Sequence, residues 1–198
     1  MNKPSPPSSD SPPSSDGSPV PAASERLSPG VSAAAEHRAS SPRAIACAVL
    51  TVSDTRTLET DTGGRGVIDR LLAAGHRLVA REIVPDDPQQ MRPLLERWRD
   101  DPSVDAILLT GGTGISSRDQ TYETVVGLLT KPLPGYGELF RYLSFQEIGP
   151  AAMLSRAVGG LAARTVVLTM PGSTAAVRLA MEQLILPELS HLVREAQR

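Results

Sequence analysis

The segment 106–123, with the sequence AILLTGGTGISSRDQTYE, places a short apolar run, a glycine-rich loop and several charged residues in immediate succession. The apolar run predicts a strand that is buried on both faces, as in a parallel sheet. The glycines after it can take positive φ angles and expose backbone amides, which bind phosphate oxygens. The segment therefore predicts a phosphate-binding loop built on Gly111, Gly112, Thr113 and Gly114, with a further hydroxyl at Ser116.

A carboxylate and an arginine follow this loop, at Asp119 and Arg118. A carboxylate beside bound phosphates is repelled unless a cation offsets the charge, and Mg²⁺ does so by bridging carboxylate and phosphate oxygens. A helix predicted to begin near Asp119 directs its N-terminal dipole at the same pocket. Two simpler interpretations stay open, because glycine turns often follow strands without a ligand, and Asp119 is also a suitable helix N-cap.

The composition divides the 198 residues into a tail, 1–42, and one domain, 43–198. The tail holds nine of the 18 prolines and twelve serines, and it has no aromatic residue. Such a segment buries too little apolar surface to offset the entropy of ordering, so it is predicted to be disordered. It has no basic start followed by an apolar core, and the chain has no long apolar run. These absences predict a soluble cytoplasmic protein with no membrane partner.

Charge and aromatic content argue against a nucleic-acid partner. The net charge is −2, aromatic residues make up 3% of the chain, and no basic stripe stands out. Proteins that bind nucleic acids usually present clustered cations and stacking aromatics. The single cysteine, Cys47, lies within an apolar run and is predicted to be a core residue, because one cysteine forms neither a disulfide nor a zinc site.

From residue 43 onward, apolar segments alternate with amphipathic ones. This alternation predicts an α/β fold with an open, mostly parallel sheet, right-handed crossovers and helices on both faces, similar to a three-layer Rossmann-like arrangement. The predicted strands are 44–52, 78–84, 104–110 and 165–170. The predicted helices are 66–74, 88–98, 121–129, 136–145 and a final helix from the cap at 173 to about 195, which is interrupted or kinked at Pro187.

Polar residues and glycines recur where the predicted strands end. Ligands of open parallel sheets bind beyond the carboxyl ends of the strands, so these residues are expected to converge on one cleft. Each group taken alone is equally typical of a turn or a cap, and the convergence is the stronger argument. Besides the glycine loop, the groups are Ser53 with Asp54, Asp86 with Asp87, and Pro171 with Gly172 and Ser173.

Six motifs occur in an order that resembles one known family, the MoaB and MogA proteins of molybdenum cofactor biosynthesis, which are related to the G domains of gephyrin. The resemblance covers essentially all of 43–198, and GELFR, SFQEIG and the ending LILPELSHLV are most similar to the MoaB branch. The motifs are TVSDTR (51–56), VPDD (84–87), TGGTG with RDQTYE (110–123), PGYGELFRYLS (134–144), MLSRAVGG (153–160) and MPGSTAAV (170–177).

The resemblance implies an adenylyltransferase that uses ATP and Mg²⁺ to transfer AMP to the terminal phosphate of molybdopterin, with release of pyrophosphate. Asp86 and Asp119 match the two important aspartates of the family and are the implied catalytic and metal-binding residues. Ser155, with Arg156, is implied in holding the phosphate of the pterin, although a surface or subunit ion pair is an equal interpretation of Arg156. The remaining implied ligand-binding residues are Ser53, Asp54, Gly111, Gly112, Thr113, Gly114, Pro171, Gly172 and Ser173.

The resemblance also implies a homotrimer or hexamer and a partner protein that inserts molybdenum. The leucine-rich final helix, with Leu184, Ile185, Leu186 and Leu189, is the predicted interface, and core packing explains the same residues equally well. At DTGG (61–64) the relatives of the resembled family commonly carry a serine before the final glycine, so one contact at Gly64 is missing, although backbone amides can serve there. Some relatives have lost activity, often with the VPDD aspartate replaced, whereas Asp86 is retained. The alternatives are a non-catalytic molybdopterin-binding or scaffold homologue and a flavodoxin-like nucleotide-binding regulatory domain.

Overall fold

A computed structural model describes Met1 and residues 44–198, so the predicted tail lies outside the described residues apart from Met1. The strands are β1 (Ala46–Val52), β2 (Arg77–Val84), β3 (Ala106–Thr110), β4 (Lys131–Pro132), β5 (Gly159–Ala162) and β6 (Thr165–Met170). The α-helices are α1 (Thr62–Ala73), α2 (Pro88–Asp100), α3 (Thr121–Val126), α4 (Pro134–Ile148), α5 (Thr174–Leu179) and α6 (Leu186–Gln197). A 3₁₀ segment, Gly149–Leu154, follows α4, and a π-helical segment, Ala180–Ile185, joins α5 to α6.

The strands form one six-stranded sheet in the order β2-β1-β3-β6-β5-β4. The first four strands are parallel, whereas β5 and β4 are antiparallel to their neighbours. The predicted open, mostly parallel sheet is confirmed. The antiparallel pair was not predicted, because β4 has two residues and β5 begins with two glycines, which are rare in strands.

Helices cover both faces of the sheet, as predicted. Alternate residues of β1 point to opposite faces, so Cys47 and Val49 pack with Leu71 of α1, while Ala48 and Leu50 pack with the helix α2. Every residue of β1, β3 and β6 is buried. The prediction for Cys47 is confirmed: its side chain is fully buried, and burial, reinforced by nearby Asp105, raises the pKa of the thiol to about 12.

Several helix ends differ from their predicted positions. The helix α1 begins four residues earlier than predicted, because Asp61 caps it by accepting a hydrogen bond from the amide of Gly64. The helix α3 has only six residues and ends three residues early, at Val126. The final helix is interrupted before Pro187, as predicted, by the π-helical segment Ala180–Ile185. Proline lacks an N–H and crowds the carbonyl four residues earlier, so regular α-helical bonding cannot continue through this point.

The final helix packs inside the fold. Ile185 and Leu189 are at most 1% exposed, and Leu184 and Leu186 are partly buried against the same core. Core packing is therefore the observed role of these residues, and the interface predicted on them is wrong for the two that are fully buried. Within residues 44–198, no helix is both long enough and apolar enough to cross a membrane.

Candidate functional site

The candidate site lies at the carboxyl ends of the four parallel strands. The chain passes from β1 to β2 on one side and returns to β3 on the other, which makes the β1–β3 boundary the switch point where ligands of such sheets bind. A cavity of about 310 Å³ opens there. It brings together predicted residues from three strand ends and is lined by Thr51, Val52, Ser53, Arg56, Asp61, Gly63, Thr110, Gly111, Gly172 and Ser173.

A second cavity, of about 240 Å³, shares Ser173 with the first. Its polar lining contains the predicted residues Thr113, Gly114 and Ser155, and its apolar side is formed by α4 and the 3₁₀ segment. The sequence did not predict this apolar lining, because apolar residues at helical spacing are equally typical of a helix face that packs in the core. It includes Phe140, Ile148, Ala151, Ala152 and Leu154.

Close contacts across the glycine loop explain why glycines are needed there. Gly111 has a φ of 102°, and a Cβ atom on it would lie 2.2 Å from the carbonyl oxygen of Val52. Gly112 has a φ of 63°. The predicted positive φ angles are confirmed for these two residues but not for Gly114. At Gly114 the constraint is space, because a Cβ would lie 2.7 Å from Oδ2 of Asp119.

Asp119 closes a turn in the loop instead of capping the helix. Its Oδ2 accepts a hydrogen bond from the amide of Ser116 at 2.8 Å, and its own amide donates to the carbonyl of Ser116 at 2.9 Å. The helix α3 begins two residues later, and its N-cap residue, Gln120, makes no side-chain capping bond. The N-cap interpretation of Asp119 is therefore wrong, and its carboxylate stays on the loop that borders the site.

Asp86 supplies the cap of α3 from the other side of the cleft. Its Oδ1 accepts hydrogen bonds from the amide of Gln120 at 3.1 Å and from the hydroxyl of Thr121 at 3.4 Å. Its Oδ2 is buried and has no hydrogen-bond partner among the described residues. Burial, and then the nearby charges of Asp119 and Asp54, raise the pKa of Asp86. A buried carboxylate oxygen without a donor is costly, which makes this atom a candidate ligand for a cation.

The donor set fits a magnesium ion that arrives with a phosphate ligand. Among the described residues, no three His, Cys, Asp or Glu side chains are placed to hold a metal ion by themselves. Mg²⁺ is commonly bound by one or two carboxylates together with substrate phosphates, so a complete protein cage is not required. The orphaned Oδ2 of Asp86 and the neighbouring carboxylate of Asp119 provide two such carboxylates.

Arg118 pairs with Asp54 across the mouth of the cleft. The guanidinium donates a short hydrogen bond to the carboxylate, which joins the segment after β1 to the glycine loop. Both side chains are exposed, so the pair is weak and can exchange partners readily. Ser53, beside Asp54, accepts hydrogen bonds from the amides of Thr55 and Arg56 and so holds its own turn.

Arg156 lies against the glycine loop. Its backbone amide donates to the carbonyl of Thr113 at 2.8 Å, and its guanidinium donates to the carbonyls of Gly114 and Asp119 and to the carboxylate of Glu123. The described contacts of its side chain are therefore made with the protein itself. Ser155, immediately before it, does line the second cavity, and contact of either residue with a ligand stays a prediction.

Sequence reasoning missed a buried network around Asp61. This carboxylate accepts hydrogen bonds from the hydroxyl of Thr51 at 2.7 Å, the amide of Gly64 at 2.7 Å and Arg81 at 3.0 Å. Burial alone would raise the pKa of Asp61, but these donors outweigh burial and lower it. The available signal was an aspartate just before a helix, which is a preferred N-cap. The network fixes the first turn of α1 at the edge of the larger cavity.

Gly63, in the first turn of α1, lies close to the segment that follows β6. A Cβ atom at this position would lie 2.9 Å from the carbonyl oxygen of Gly172. The glycine therefore lets the first turn of α1 approach the segment after β6 closely. Both segments line the larger cavity, so this contact sets its width on that side.

A glycine loop and two neighbouring carboxylates at the switch point of a mostly parallel sheet are typical of α/β proteins that bind phosphate-bearing ligands. Residues 48–191 match the family model described as a probable molybdopterin binding domain, and the chain belongs to that family. The family resemblance predicted from the motifs is confirmed.

Within the family, the chain is similar to molybdenum cofactor biosynthesis protein B. It is 48% identical to the protein of that name from Halalkalibacterium halodurans over 161 residues, which cover 81% of this chain and 95% of the relative. It is also 48% identical to the Bacillus subtilis protein over 164 residues, which cover 82% and 96%. Both relatives are matched over nearly their whole length, so the described domain corresponds to a whole relative.

Solved structures agree with this assignment. A crystal structure of molybdenum cofactor biosynthesis protein B superposes with a TM-score of 0.77 at 49% identity, covering 79% of this chain and 98% of that chain. The molybdopterin biosynthesis enzyme MoaB of Thermus thermophilus superposes with a TM-score of 0.69 at 35% identity, covering 77% and 96%. The fold is therefore that of the MoaB structures.

Proposed function

We propose that this protein acts in molybdenum cofactor biosynthesis by adenylylating molybdopterin with Mg²⁺ and ATP. An oxygen of the terminal phosphate of molybdopterin attacks the α-phosphorus of ATP. The bond from that phosphorus to the oxygen that bridges it to the β-phosphorus breaks, and pyrophosphate leaves with the bond electrons. The observation that carries the proposal is the buried Oδ2 of Asp86, which has no hydrogen-bond partner among residues 44–198 and lies beside the glycine loop and Asp119.

The glycine loop supplies the donors that a phosphate requires. The backbone amides of Gly112, Thr113 and Gly114 donate to no acceptor in the part of the chain that the structure describes. Three free amides in a loop at a sheet edge form an anion-binding concavity. Transfer between phosphates needs little covalent help from the protein, so positioning and charge neutralisation supply most of the rate enhancement.

Asp86 and Asp119 are the residues that would hold the magnesium ion. When bound, the ion neutralises phosphate charge and orients the reacting groups. Asp86 keeps one carboxylate oxygen free while the other caps α3, so its position is fixed before substrates bind. The two cavities share the lining residue Ser173, so the two substrates would bind in neighbouring cavities. The product would then pass to a molybdenum-insertion protein.

The test is pyrophosphate release by the purified protein with ATP and magnesium, in the presence and absence of molybdopterin. We expect release that requires molybdopterin and that falls by about 100-fold or more in Asp119→Ala, because one of the two carboxylates that would hold the magnesium ion is lost. Unchanged turnover and magnesium dependence in that variant would refute this mechanism. Bound molybdopterin without release would favour the non-catalytic binding homologue.

The homo-oligomer is also a proposal, and its interface is expected on α4 and the 3₁₀ segment that follows. These two segments carry a continuous set of exposed apolar side chains, far more than a solvated helix needs. Two of them, Ile148 and Leu154, also line the second cavity, so a second copy seated there would complete its wall. The set is Leu139, Tyr142, Phe145, Ile148, Met153 and Leu154, which are between 49% and 76% exposed.

Replacing two of these side chains with charged ones is expected to dissociate the oligomer. We expect the double variant Tyr142→Glu, Phe145→Glu to have the mass of a monomer by light scattering, whereas the wild type has the mass of a trimer or hexamer. Leu72→Glu is the matched control, since Leu72 is 52% exposed on the outer side of α1. A wild-type monomer, or an oligomer that survives the double substitution, would contradict the proposed interface.

A further inference from the structure

Arg156 makes an unusually complete set of contacts with the loop that borders the site. Its Nε donates to the carbonyl oxygen of Gly114 at 2.6 Å, and one terminal nitrogen donates to the carbonyl of Asp119 at 2.8 Å. The other terminal nitrogen donates to the carboxylate of Glu123. All three guanidinium nitrogens thus donate within the protein, and these bonds use three of the five N–H donors of the side chain.

The surroundings hold this guanidinium in one orientation. It lies over the ring of Tyr122, with 5.2 Å between its central carbon and the ring centroid, which is a cation–π contact. The backbone amide of Arg156 also donates to the carbonyl of Thr113. The side chain is 27% exposed, so its bonds are partly shielded from water. Contacts at both ends of the residue therefore fix it against the loop and α3.

The guanidinium of Arg156 holds two backbone carbonyls, one on each side of the turn that Asp119 closes. The carbonyl of Gly114 precedes the turn between Ser116 and Asp119, and the carbonyl of Asp119 ends it. When the carbonyls of a loop are held by one rigid donor, the amides between them keep a fixed direction. The carboxylate of Asp119 belongs to this turn, and the amide of Gly114 shares a peptide group with the carbonyl of Thr113, which the backbone of Arg156 holds, so both keep fixed positions beside the cleft.

We propose that Arg156 is a positioning residue, which acts on substrates through the glycine loop and the Asp119 turn and does not touch them itself. The expected effect of Arg156 on catalysis rests on the adenylyl transfer proposed above. Its expected effect on the geometry of the loop does not depend on that proposal. The flat guanidinium makes three bonds in set directions, and the single ammonium group of lysine cannot reproduce them. Lysine at this position therefore keeps the charge but loses the loop geometry.

The experiment compares Arg156→Lys and Arg156→Gln with the wild type by two readouts. The first is amide hydrogen exchange of 113–121 in the protein without ligands, where the amides of Ser116 and Asp119 report on the turn. We expect faster exchange there in both variants. The second is steady-state pyrophosphate release, where we expect the kcat to fall by about 100-fold in both variants, as for a misplaced catalytic group, with the KM for molybdopterin within about twofold.

Arg99→Gln is the matched control. The side chain of Arg99 is also 27% exposed and is also paired with a carboxylate, that of Asp100, but it lies at the opposite edge of the sheet. We expect it to change neither readout. Glu123→Ala removes one hydrogen-bond partner of the guanidinium and leaves Arg156 in place, so it provides a milder form of the same test if Arg156→Gln fails to fold. We expect it to speed exchange at the turn by a smaller factor.

The outcomes separate the two proposals. A higher KM for molybdopterin with unchanged kcat and unchanged exchange would mean that Arg156 contacts the ligand directly, and it would overturn the positioning role. Restored kcat in Arg156→Lys would overturn it as well, since only charge would then matter. A wild type that releases no pyrophosphate would refute the adenylyl transfer alone, because the exchange measurement still tests the loop contact.

Discussion

Gly112→Ala is expected to reduce adenylyl transfer by about 100-fold or more and to lower the melting temperature. A Cβ atom at this position would lie 2.1 Å from the hydroxyl oxygen of Thr121 and 2.3 Å from Oδ2 of Asp86. These distances are far below van der Waals contact, so the loop or the carboxylate has to move. The substitution therefore displaces the free amides and Asp86 together. Pyrophosphate release and thermal unfolding measure the two effects.

Gly75→Ala is the matched control for this experiment. Gly75 also has a positive φ, 82°, but among the described residues, apart from its two chain neighbours, no atom lies within 4 Å of the position that its Cβ would occupy. A non-glycine residue in this backbone region costs about 1 kcal/mol, and that cost applies to both variants. We expect Gly75→Ala to lose some stability and to keep its turnover. Equal turnover in the two variants would show that the crowding around Gly112 does not constrain the site.

Asp86→Asn is expected to separate activity from stability. We expect turnover to fall by about 100-fold or more, because the negative charge that would face the metal is lost. We expect the melting temperature at pH 7 to equal or exceed that of the wild type, because asparagine removes a buried charge with one unpartnered oxygen. A stabilised but inactive variant is the usual result where a site is kept strained for function.

The pH dependence gives a second check on Asp86. Burial, with the charges of Asp119 and Asp54, raises its pKa in the folded protein, so the ionised carboxylate destabilises the fold above that pKa. As pH falls from 7 through the folded pKa, the wild type takes up a proton and regains stability relative to Asp86→Asn. The difference in melting temperature between the two proteins should therefore shrink in acid. A difference that grows in acid would contradict this assignment.

Asp87→Asn controls for the neighbouring carboxylate. Asp87 caps α2 by accepting a hydrogen bond from the amide of Gln89 at 2.9 Å, and asparagine is an equally good N-cap. We expect this variant to keep both its turnover and its melting temperature. A loss of activity equal to that of Asp86→Asn would mean that the charge of the loop matters and the position of Asp86 does not.

Local patterns in the sequence were sufficient to predict the parallel strands and their convergence. The buried strands β1, β3 and β6 are mostly apolar with a few threonines, and the polar residues after them lie at one sheet edge because parallel strands end together. The glycine loop was also predicted from a local pattern, since its glycines directly follow the apolar run of β3. The chemistry of these residues is local, so a single segment is enough to indicate it.

The parts that sequence reasoning missed depend on contacts between distant residues. Asp86 caps a helix that begins 35 positions later, and no local pattern distinguishes that role from a turn. A helix N-cap was the simpler of the two interpretations of Asp119, but its carboxylate accepts a hydrogen bond from the amide of Ser116 instead. Apolar periodicity likewise does not tell a core face from an interface, which is why both interpretations of the final helix stayed open until Ile185 and Leu189 were found to be buried.

The most direct test of adenylyl transfer is to follow the α-phosphorus of ATP. The purified protein is incubated with molybdopterin, magnesium and ATP labelled at the α-phosphorus, and the labelled products are separated. We predict that the label moves to molybdopterin in equal amount to the pyrophosphate released, and that label at the γ-phosphorus appears only in pyrophosphate. Label that stays in ATP, or that appears as free AMP or ADP while molybdopterin is bound but unmodified, would contradict adenylyl transfer at this site.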